Sequence, residues 1–468
     1  MHLETALDLS RLQFAFTAIF HILWPILTIS LSLFVFLLEA LWARTGDPQY
    51  GQHTRYWSKL LALNFAVGVV SGIPMEFEFG TNWAPFSQFG GEFFGNILGF
   101  EGAMAFMLEA GFVGVMLYGW NRVPRAVHLF ATGMVALGSS LSAFWIMVAN
   151  SWMQTPAGVE ASGGRLVVTD YLAAIFNPSM ASSALHMWTA SIETGLFVVA
   201  GLSAWKMLRR QQPEFFARSF KLACALLLVV SPLQLLIGDW SGQNVFEHQP
   251  AKGAAIEGHW QTNAPGTGAS WSLLAWPDKA RQRNTWSLEV PAALSLLATH
   301  SATGTVRGLS EFAPEDQPPM LPLLYYAFRL MAGIGMWFVV LAAWTAWVWR
   351  RARWRSDALL RHPWLLRAWV LTIPLPYLAV ECGWIVREVG RQPWAIYGLL
   401  RTHDAATTLS SATVTSSLWM FAACYLVLLA AFTHFARRWL LRGPDQHASA
   451  RSRAAAALSH RPVPLGDH

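Results

Sequence analysis

Long apolar stretches separated by short polar segments dominate the sequence. A transmembrane helix needs about 20 mostly apolar residues, and nine stretches meet that requirement. The first, from Leu12 to Leu38, contains no Asp, Glu, Lys or Arg. The pattern predicts an all-α, polytopic membrane bundle with about nine transmembrane helices. The predicted helices cover residues 12–38, 60–77, 93–119, 126–150, 184–205, 222–238, 322–349, 366–386 and 408–435.

Lys and Arg are unevenly distributed over the connections between these stretches. The connections after every odd-numbered stretch, together with the tail, carry 22 of the 33. The segment between stretches two and three carries none, and the segment between four and five carries only Arg165. Because loops rich in Lys and Arg stay in the cytoplasm, the N-terminus is predicted outside and the C-terminus inside. The first stretch is too long for a signal peptide and lacks a basic leader, so it is expected to be retained.

One connection is much longer than the others. Residues 239–319 are rich in Gly, Pro, Trp and charged residues, and a loop of this length is usually functional or disordered. The topology puts this loop outside, and no internal repeat is found. We therefore expect helices one to six in 1–238, an outer loop in 239–319, helices seven to nine in 320–442, and a mobile cytoplasmic tail in 443–468.

Composition narrows the class of protein. The chain is 54% hydrophobic and 13% charged, against about 25% charged residues in an average soluble domain. This excludes a disordered chain, a coiled coil and an ordinary cytosolic enzyme. The net charge of +6 is explained by cytoplasmic loops and does not require nucleic acid. Three scattered cysteines form no CxxC motif, so zinc, c-type haem and a disulfide framework are not indicated.

Four side chains that can bind iron fall in the outer half of the predicted membrane region. His186 and Met331 lie near the outer starts of two stretches, and Glu381 lies near the outer end of another. His21 is about ten residues, or roughly 15 Å, into the first stretch. Since His is a common haem ligand and Met opposite His raises the haem potential, the pattern favours a haem protein. Three alternatives stay open: histidines bonding between helices, a packing methionine, and Glu381 paired with Arg329 or Arg387.

Carboxylates inside the stretches suggest proton transfer. Glu101 and Glu109 share the third stretch, about 12 Å apart along a helix axis. Acids within a membrane helix are typical of a proton relay, to which Ser142 could add a hydroxyl group. The alternative is two structural acids and a serine in a helix contact. Glu193 follows His186 by seven residues on the same face and has no predicted role. The acids near helix ends are expected to be interfacial: Glu39, Glu76 and Glu78.

Eight distinctive motifs follow one another along the chain and together cover nearly all nine predicted helices. They are SRLQFAFTAIFH (10–21), MEFEFGTNW (75–83), EGAMAFMLEAGFVG (101–114), ALGSSLSAFWIMVANSWMQTP (136–156), GDWSG (238–242), KGAAIEGHW (252–260), YAFRLM (326–331) and GWIVREVGRQPW (383–394). With them the chain closely resembles subunit I of cytochrome bd-type ubiquinol oxidase. The resemblance implies a bacterial inner-membrane protein that oxidises quinol outside and reduces O2 to water with cytoplasmic protons. It would thereby generate a proton motive force without a pump.

The resemblance also implies the haem ligands. His186 and Met331 would hold a low-spin haem b, while His21 and Glu381 would each hold one of two high-spin haems, a haem b and a haem d. The outer loop resembles the short type, which includes cyanide-insensitive members. In those members haem b can replace haem d, so the identity of the third haem stays open. Two arginines would lie near haem propionates: Arg329 and Arg391.

For substrate and protons, the resemblance implies further roles. Lys252 and Glu257 would line the quinol site in the outer loop, called the Q-loop in this family. The alternative for this pair is an exposed couple without function. Glu101 and Glu109 would lie on the proton path, with Ser142 beside them.

The resemblance implies partners as well: a second subunit, a small single-helix subunit, ubiquinol, O2 and lipid, but no nucleic acid. Competing interpretations are a membrane haem b protein without oxygen chemistry, a secondary transporter and a purely structural subunit.

Overall fold

The computed structural model describes residues 5–351 and 359–444, and these ranges contain nine helices long and apolar enough to cross a membrane. This confirms the all-α, multi-pass prediction. All nine helices are as long as or longer than the apolar stretches indicated. They are α1 (Ala6–Thr45), α2 (Pro48–Gly80), α3 (Gly91–Tyr118), α4 (Arg125–Gln154), α5 (Met180–Leu208), α6 (Pro213–His248), α7 (Leu321–Arg351), α8 (Pro363–Val389) and α9 (Ser411–Arg442).

Local sequence signals explain the tight connection between α1 and α2. Gly46 ends α1 with a positive φ of 70°, a conformation that costs glycine little. Asp47 then caps α2, its Oδ1 accepting from the backbone of Gln49 at 2.9 Å, and Pro48 occupies the first turn. Asp47 Oδ2 also lies 2.6 Å from Arg218, which ties this turn to α6.

Two of the membrane helices are irregular. In α3 the α-helical parts Gly91–Phe100 and Met107–Tyr118 are joined by a π-helical segment, Glu101–Phe106. Such segments often occur at functional sites, and this one starts at a predicted proton-relay residue. The helix α8 consists of Pro363–Thr372 and Leu375–Val389, and the break coincides with a proline that cannot donate to the helix.

Most of the longer connections lie at one end of the bundle. We call it the long-loop end, because residues 249–320 lie there. The connections after α4 and α8 meet at this end, where Tyr397 donates to Met153 O at 3.0 Å. Three antiparallel hairpins occur here that the helical prediction did not include. Their strands are β1 (Val159–Ser162), β2 (Arg165–Val168), β3 (Trp271–Asp278), β4 (Arg283–Val290), β5 (Trp394–Ile396) and β6 (Leu400–Arg401).

The predicted outer loop has a defined structure. The helix α6 continues to His248, ten residues beyond the boundary expected at 238. Tyr325 Oη of α7 donates to Ser272 O at 2.5 Å, which fixes the β3–β4 hairpin to the start of α7. Short helices complete this end: Ala84–Phe89, Tyr171–Ile175, Pro250–Glu257, Ala293–Thr299, Thr402–Ala405 and the 3-10 turn Leu309–Glu311. Of the predicted tail, residues 445–468 lie outside the described residues.

The main apolar core lies between α1, α2, α5, α6, α7 and α8. Its largest fully buried side chains include Trp57, Phe197, Phe220 and Trp369. Close aromatic packing contributes, since the rings of Phe197 and Trp369 are 5.1 Å apart. Cys224 and Cys382 are buried and Cys424 is exposed, all as free thiols. This core fixes the relative positions of the helices that form it. It thereby also fixes the positions of the side chains that these helices carry at the long-loop end.

Candidate haem, quinol and proton sites

His21 lies on the inner face of α1. Because this helix begins six residues earlier than predicted, His21 is fifteen residues, or roughly 22 Å, from its start. Its Nδ1 is 2.9 Å from Ser71 Oγ of α2. A Cβ added at Gly72 would lie 3.1 Å from His21 Cε1, so the backbone of α2 passes close to the ring. With Nδ1 engaged, Nε2 is the nitrogen that can bind a metal.

On α5, the Nδ1 of His186 faces an amide nitrogen, whereas that of His21 faces a hydroxyl group. Its Nδ1 lies 3.2 Å from Gln234 Nε2 of α6, and the same amide donates to the backbone carbonyl of His186 at 3.1 Å. Gly238 packs against the ring, since a Cβ there would be 3.3 Å from His186 Cε1. Glu193 lies two turns further along α5 and is only 4% exposed.

Met331 and Glu381 lie on α7 and α8, which pack together. The Met331 sulfur faces α8, because a Cβ at Gly383 would be 3.1 Å from it. Both carboxyl oxygens of Glu381 are buried and, among the described residues, have no hydrogen-bond partner. A buried carboxyl group without a partner is costly, so Glu381 has the character of a ligand that needs a cofactor.

The alternative pairing of Glu381 with an arginine is wrong. Arg329 Nη2 donates to Glu257 at 2.6 Å. Arg387 donates to Asn150 and, at 3.0 Å, to Ser183. The carboxyl group of Glu381 therefore remains available to bind a cofactor.

The two predicted relay acids of α3, Glu101 and Glu109, both bond to serines of α4. Ser142 Oγ donates to Glu101 Oε1 at 2.7 Å, and Ser139 Oγ donates to Glu109 Oε1 at 2.6 Å. The structure thus brings the predicted relay residues together and adds Ser139, which the sequence analysis missed. The available signal was its spacing, since Ser139 lies three residues before Ser142 and shares its helix face.

Two of the three acids expected at the interface are instead buried. Glu39 is fully buried and accepts from Thr132 Oγ1 at 2.7 Å, while His128 Nδ1 lies 2.6 Å from its other oxygen. Glu78 is also fully buried and accepts from Thr17 Oγ1 at 2.8 Å. Glu76 is exposed. The interfacial prediction is wrong for Glu39 and Glu78, because their partners come from other helices and cannot be read from helix ends.

Lys252 lies on the short helix Pro250–Glu257 and is 4% exposed. Its Nζ donates to Gln154 Oε1 at 2.6 Å and to Arg387 O at 3.2 Å. Burial, and secondarily the charges of Arg387 and Arg391, lower the pKa of Lys252 well below its usual value. The site therefore favours a neutral amine or a ligand that supplies negative charge.

Glu257 closes the same helix and is also 4% exposed. Its Oε2 accepts from Arg329 at 2.6 Å and from Trp271 Nε1 at 2.9 Å. Burial raises its pKa, and the arginine and indole partly oppose that shift. The alternative of an exposed Lys252–Glu257 couple is wrong, since both are buried and each bonds to different partners.

Several guanidinium groups at this end have spare donors. Arg329 Nε and Nη1, Arg391 Nε and Nη1, and Arg387 Nη2 are buried and without partners among the described residues. Arg391 also pairs with Glu388 at 2.5 Å, and burial lowers the pKa of Arg391. Buried, uncompensated guanidinium donors fit anionic groups such as haem propionates. The donor set, the free imidazole nitrogens and the orphaned Glu381 together fit haem.

Comparisons with known proteins identify the family and the fold. A family model described as cytochrome bd terminal oxidase subunit I matches residues 9–444. The chain is 34% identical to cytochrome bd-II ubiquinol oxidase subunit 1 of Escherichia coli (strain K12), over 94% of this chain and 97% of that protein. It is also 34% identical to cytochrome bd ubiquinol oxidase subunit 1 of Bacillus subtilis (strain 168), over 94% of each. The bd oxidase structure from Geobacillus thermodenitrificans superposes with a TM-score of 0.85 at 32% identity, covering 94% of this chain and 99% of that one.

Proposed function

Because the chain belongs to the cytochrome bd terminal oxidase subunit I family, we propose that its long-loop end holds haem and quinol while its interior conducts protons. The chain is a multi-pass subunit of a membrane ubiquinol oxidase that carries haem and works with a subunit II. The relatives are bacterial, in keeping with an inner-membrane location. Family membership disfavours the transporter and structural-subunit interpretations.

His186 and Met331 would hold a low-spin haem b, and His21 and Glu381 would each hold one high-spin haem, of type b or d. Haem supplies electron transfer and the site at which oxygen is reduced to water. The chain contributes two imidazoles, that of His21 beside the Ser71 hydroxyl group and that of His186 beside the Gln234 amide. It also contributes a carboxyl group with no competing partner. Two arginines supply spare donors for the propionates: Arg329 and Arg391.

Glu257 would accept the proton that leaves quinol as it is oxidised. The carboxylate is buried, and its raised pKa brings it closer to neutral pH, where a general base works best. Arg329, at 2.6 Å, holds it in place and favours the ionised form. Lys252 lies on the same short helix and would orient the quinol head group, although it does not touch Glu257.

The long-loop end would face the periplasm, as the distribution of Lys and Arg indicates. Quinol protons then leave outward, while protons for water formation come from the cytoplasm. Glu109 and then Glu101, each hydrogen-bonded to a serine of α4, would carry these protons from the cytoplasmic side of the bundle towards the haems. Each electron delivered to oxygen is then equivalent to one charge crossing the membrane, about 2.3 kcal/mol at 100 mV. No pump is needed.

Partner subunits would cover the exposed faces of α3 and α9. The apolar window of α3 is only 17% buried although the helix carries three carboxylates, and that of α9 is 11% buried, against 72% for α5. Both helices carry exposed large apolar side chains, such as Met107 of α3 (69% exposed) and Trp419 of α9 (71% exposed). Subunit II would cover α3, since polar groups there need shielding from lipid. A small single-helix subunit and lipid would complete the complex.

The observation that carries the haem proposal is the buried, unpartnered carboxyl group of Glu381. The test is a reduced-minus-oxidised spectrum of the purified complex, together with spectra of His186→Ala and Met331→Leu. Both variants should lose the low-spin signal and keep the high-spin signals. A colourless wild-type complex, or low-spin spectra unchanged in both variants, would contradict the assignment.

A further inference from the structure

A line of buried polar side chains runs along α1 from the long-loop end. Ser10, Gln13 and Thr17 are each at most 1% exposed, and their spacing of three and four residues puts them on one helix face. Glu78 and Asn82 face them. Thr17 Oγ1 donates to Glu78 Oε1 at 2.8 Å, and Asn82 Nδ2 donates to Ser10 Oγ at 3.2 Å. We call these five residues the α1–α2 polar column.

Glu78 is the only acid of this column and is fully buried. Its Oε2 has no hydrogen-bond partner, and no Lys, Arg or His of the described residues forms an ion pair with it. An isolated buried carboxylate is strongly disfavoured. The carboxylate of Glu78 therefore takes up a proton when negative charge arrives close to it.

Few titratable groups face Glu78 from the neighbouring helices. On α1 the nearest titratable group along the helix is His21, one turn after Thr17, and it contacts Ser71. On α9, Tyr425 interacts electrostatically with Glu78 and with Cys424, and the short helix Ala84–Phe89 contains no titratable group. Glu76 of α2 itself is exposed. Of the three acids of α3, Glu101 and Glu109 are bonded to α4 and Glu92 is exposed. The Asp8–Arg11 pair is partly exposed at the start of α1.

The column leads to the His21 site. Thr17 lies one turn before His21 on α1, and Glu78 lies two turns, or about 10 Å, after Ser71 on α2. Ser71 Oγ is 2.9 Å from His21 Nδ1, and Tyr425 Oη donates to Ser71 O at 2.8 Å. Charges about 10 Å apart at an effective dielectric constant of about 20 change an equilibrium more than tenfold. An electron arriving at iron on His21 therefore increases the affinity of Glu78 for a proton.

We propose that Glu78 takes up the proton that balances the electron arriving at the haem held by His21, and exchanges it with water at the long-loop end through the α1–α2 polar column. This inference rests on the proposed function, since it needs haem at His21. In the step the ferric iron gains one quinol-derived electron, and the Glu78 carboxylate forms one O–H bond with a proton from water. Reoxidation returns the proton, so no net charge is moved over a cycle.

Redox titrations of the complete, purified oxidase at several pH values test this. In the wild type the midpoint potential of the His21 haem should fall with rising pH, at most by 59 mV per unit, which is tenfold in the reduced-to-oxidised ratio. Glu78→Gln keeps the shape and the bond from Thr17, and its potential should be independent of pH. Glu39→Gln alters a fully buried carboxylate near the other end of α1 and should keep the wild-type slope.

A second variant addresses the route. Gln13→Leu leaves the carboxyl group of Glu78 in place but interrupts the column. It should keep the slope while slowing at least tenfold the absorbance change that follows a pH jump. An unchanged slope in Glu78→Gln, or an unchanged rate in Gln13→Leu, overturns the inference. A wild-type complex without haem would instead overturn the proposed function.

Discussion

Arg329→Met should shift the pH dependence of quinol oxidation. Arg329 and Glu257 are 2.6 Å apart, with side chains only 12% and 4% exposed. Removing one partner of a buried ion pair costs about 3–5 kcal/mol, because the other charge is left uncompensated. At 1.4 kcal/mol per factor of ten, the ionised fraction of Glu257 at a given pH falls by roughly two to three and a half orders of magnitude. Trp271 Nε1, 2.9 Å away, then remains as a neutral donor.

The sign follows from the pKa of Glu257, which burial raises and Arg329 lowers. Without the arginine, Glu257 stays protonated to a higher pH and cannot accept a proton from quinol. Quinol oxidation by the purified complex, measured from acidic to alkaline pH, should therefore be low at neutral pH and recover at alkaline pH. Glu257→Gln should be low throughout, because an amide cannot take up the proton.

Arg401→Met is the matched control. Its ion pair with Asp316 is also at the long-loop end, but the side chains are 26% and 40% exposed, and such pairs contribute at most about 1 kcal/mol. This variant should keep the wild-type profile. An Arg329→Met profile that superimposes on the wild type refutes the reasoning. A loss of activity that alkaline pH does not recover refutes it as well.

Three further variants probe the other sites. Glu381→Gln should remove one high-spin haem signal, and the substitution breaks no hydrogen bond, since its oxygens have no partners among the described residues; a retained haem with an unchanged spectrum would contradict its role as ligand. Ser139→Ala removes the 2.6 Å hydrogen-bond donor to Glu109. Because a hydrogen bond to a charged group contributes about 1.5–3 kcal/mol, proton uptake in single-turnover measurements should slow roughly 10- to 100-fold. A normal rate would argue against this route. Lys252→Met removes the donor to Gln154 and should raise the KM for quinol at least tenfold with haem spectra unchanged; an unchanged KM would place quinol elsewhere.

The membrane helices could be predicted because their signal is local. Twenty apolar residues in a row identify a span wherever the rest of the chain lies. Helix ends were harder, since α6 continues through Asp239 and Glu247 to His248. These polar residues end a hydropathy window without ending the helix. The β3–β4 hairpin was missed because it lies in a segment judged only by its length and composition.

The site residues were predicted more completely than their partners. Glu101, Glu109 and Ser142 stood out as polar residues in apolar stretches, and the structure joins them through α3–α4 hydrogen bonds. The pairing of Glu257 with Arg329, 72 residues away, depends on tertiary packing. The spacing of polar and apolar residues along the chain carries no information on this pairing. For the same reason Glu78 was expected at the surface although it is fully buried.

The glycines beside three proposed ligands make each ligand separately adjustable. Gly72, Gly238 and Gly383 each leave just over 3 Å between a missing methyl group and a ligand side chain. Replacing any one of these glycines with alanine would add a methyl group that tilts one imidazole or thioether. The ligand itself would stay the same residue. The neighbouring backbone thus sets the orientation of each ligand, and the three ligands can be reoriented by substitution one at a time.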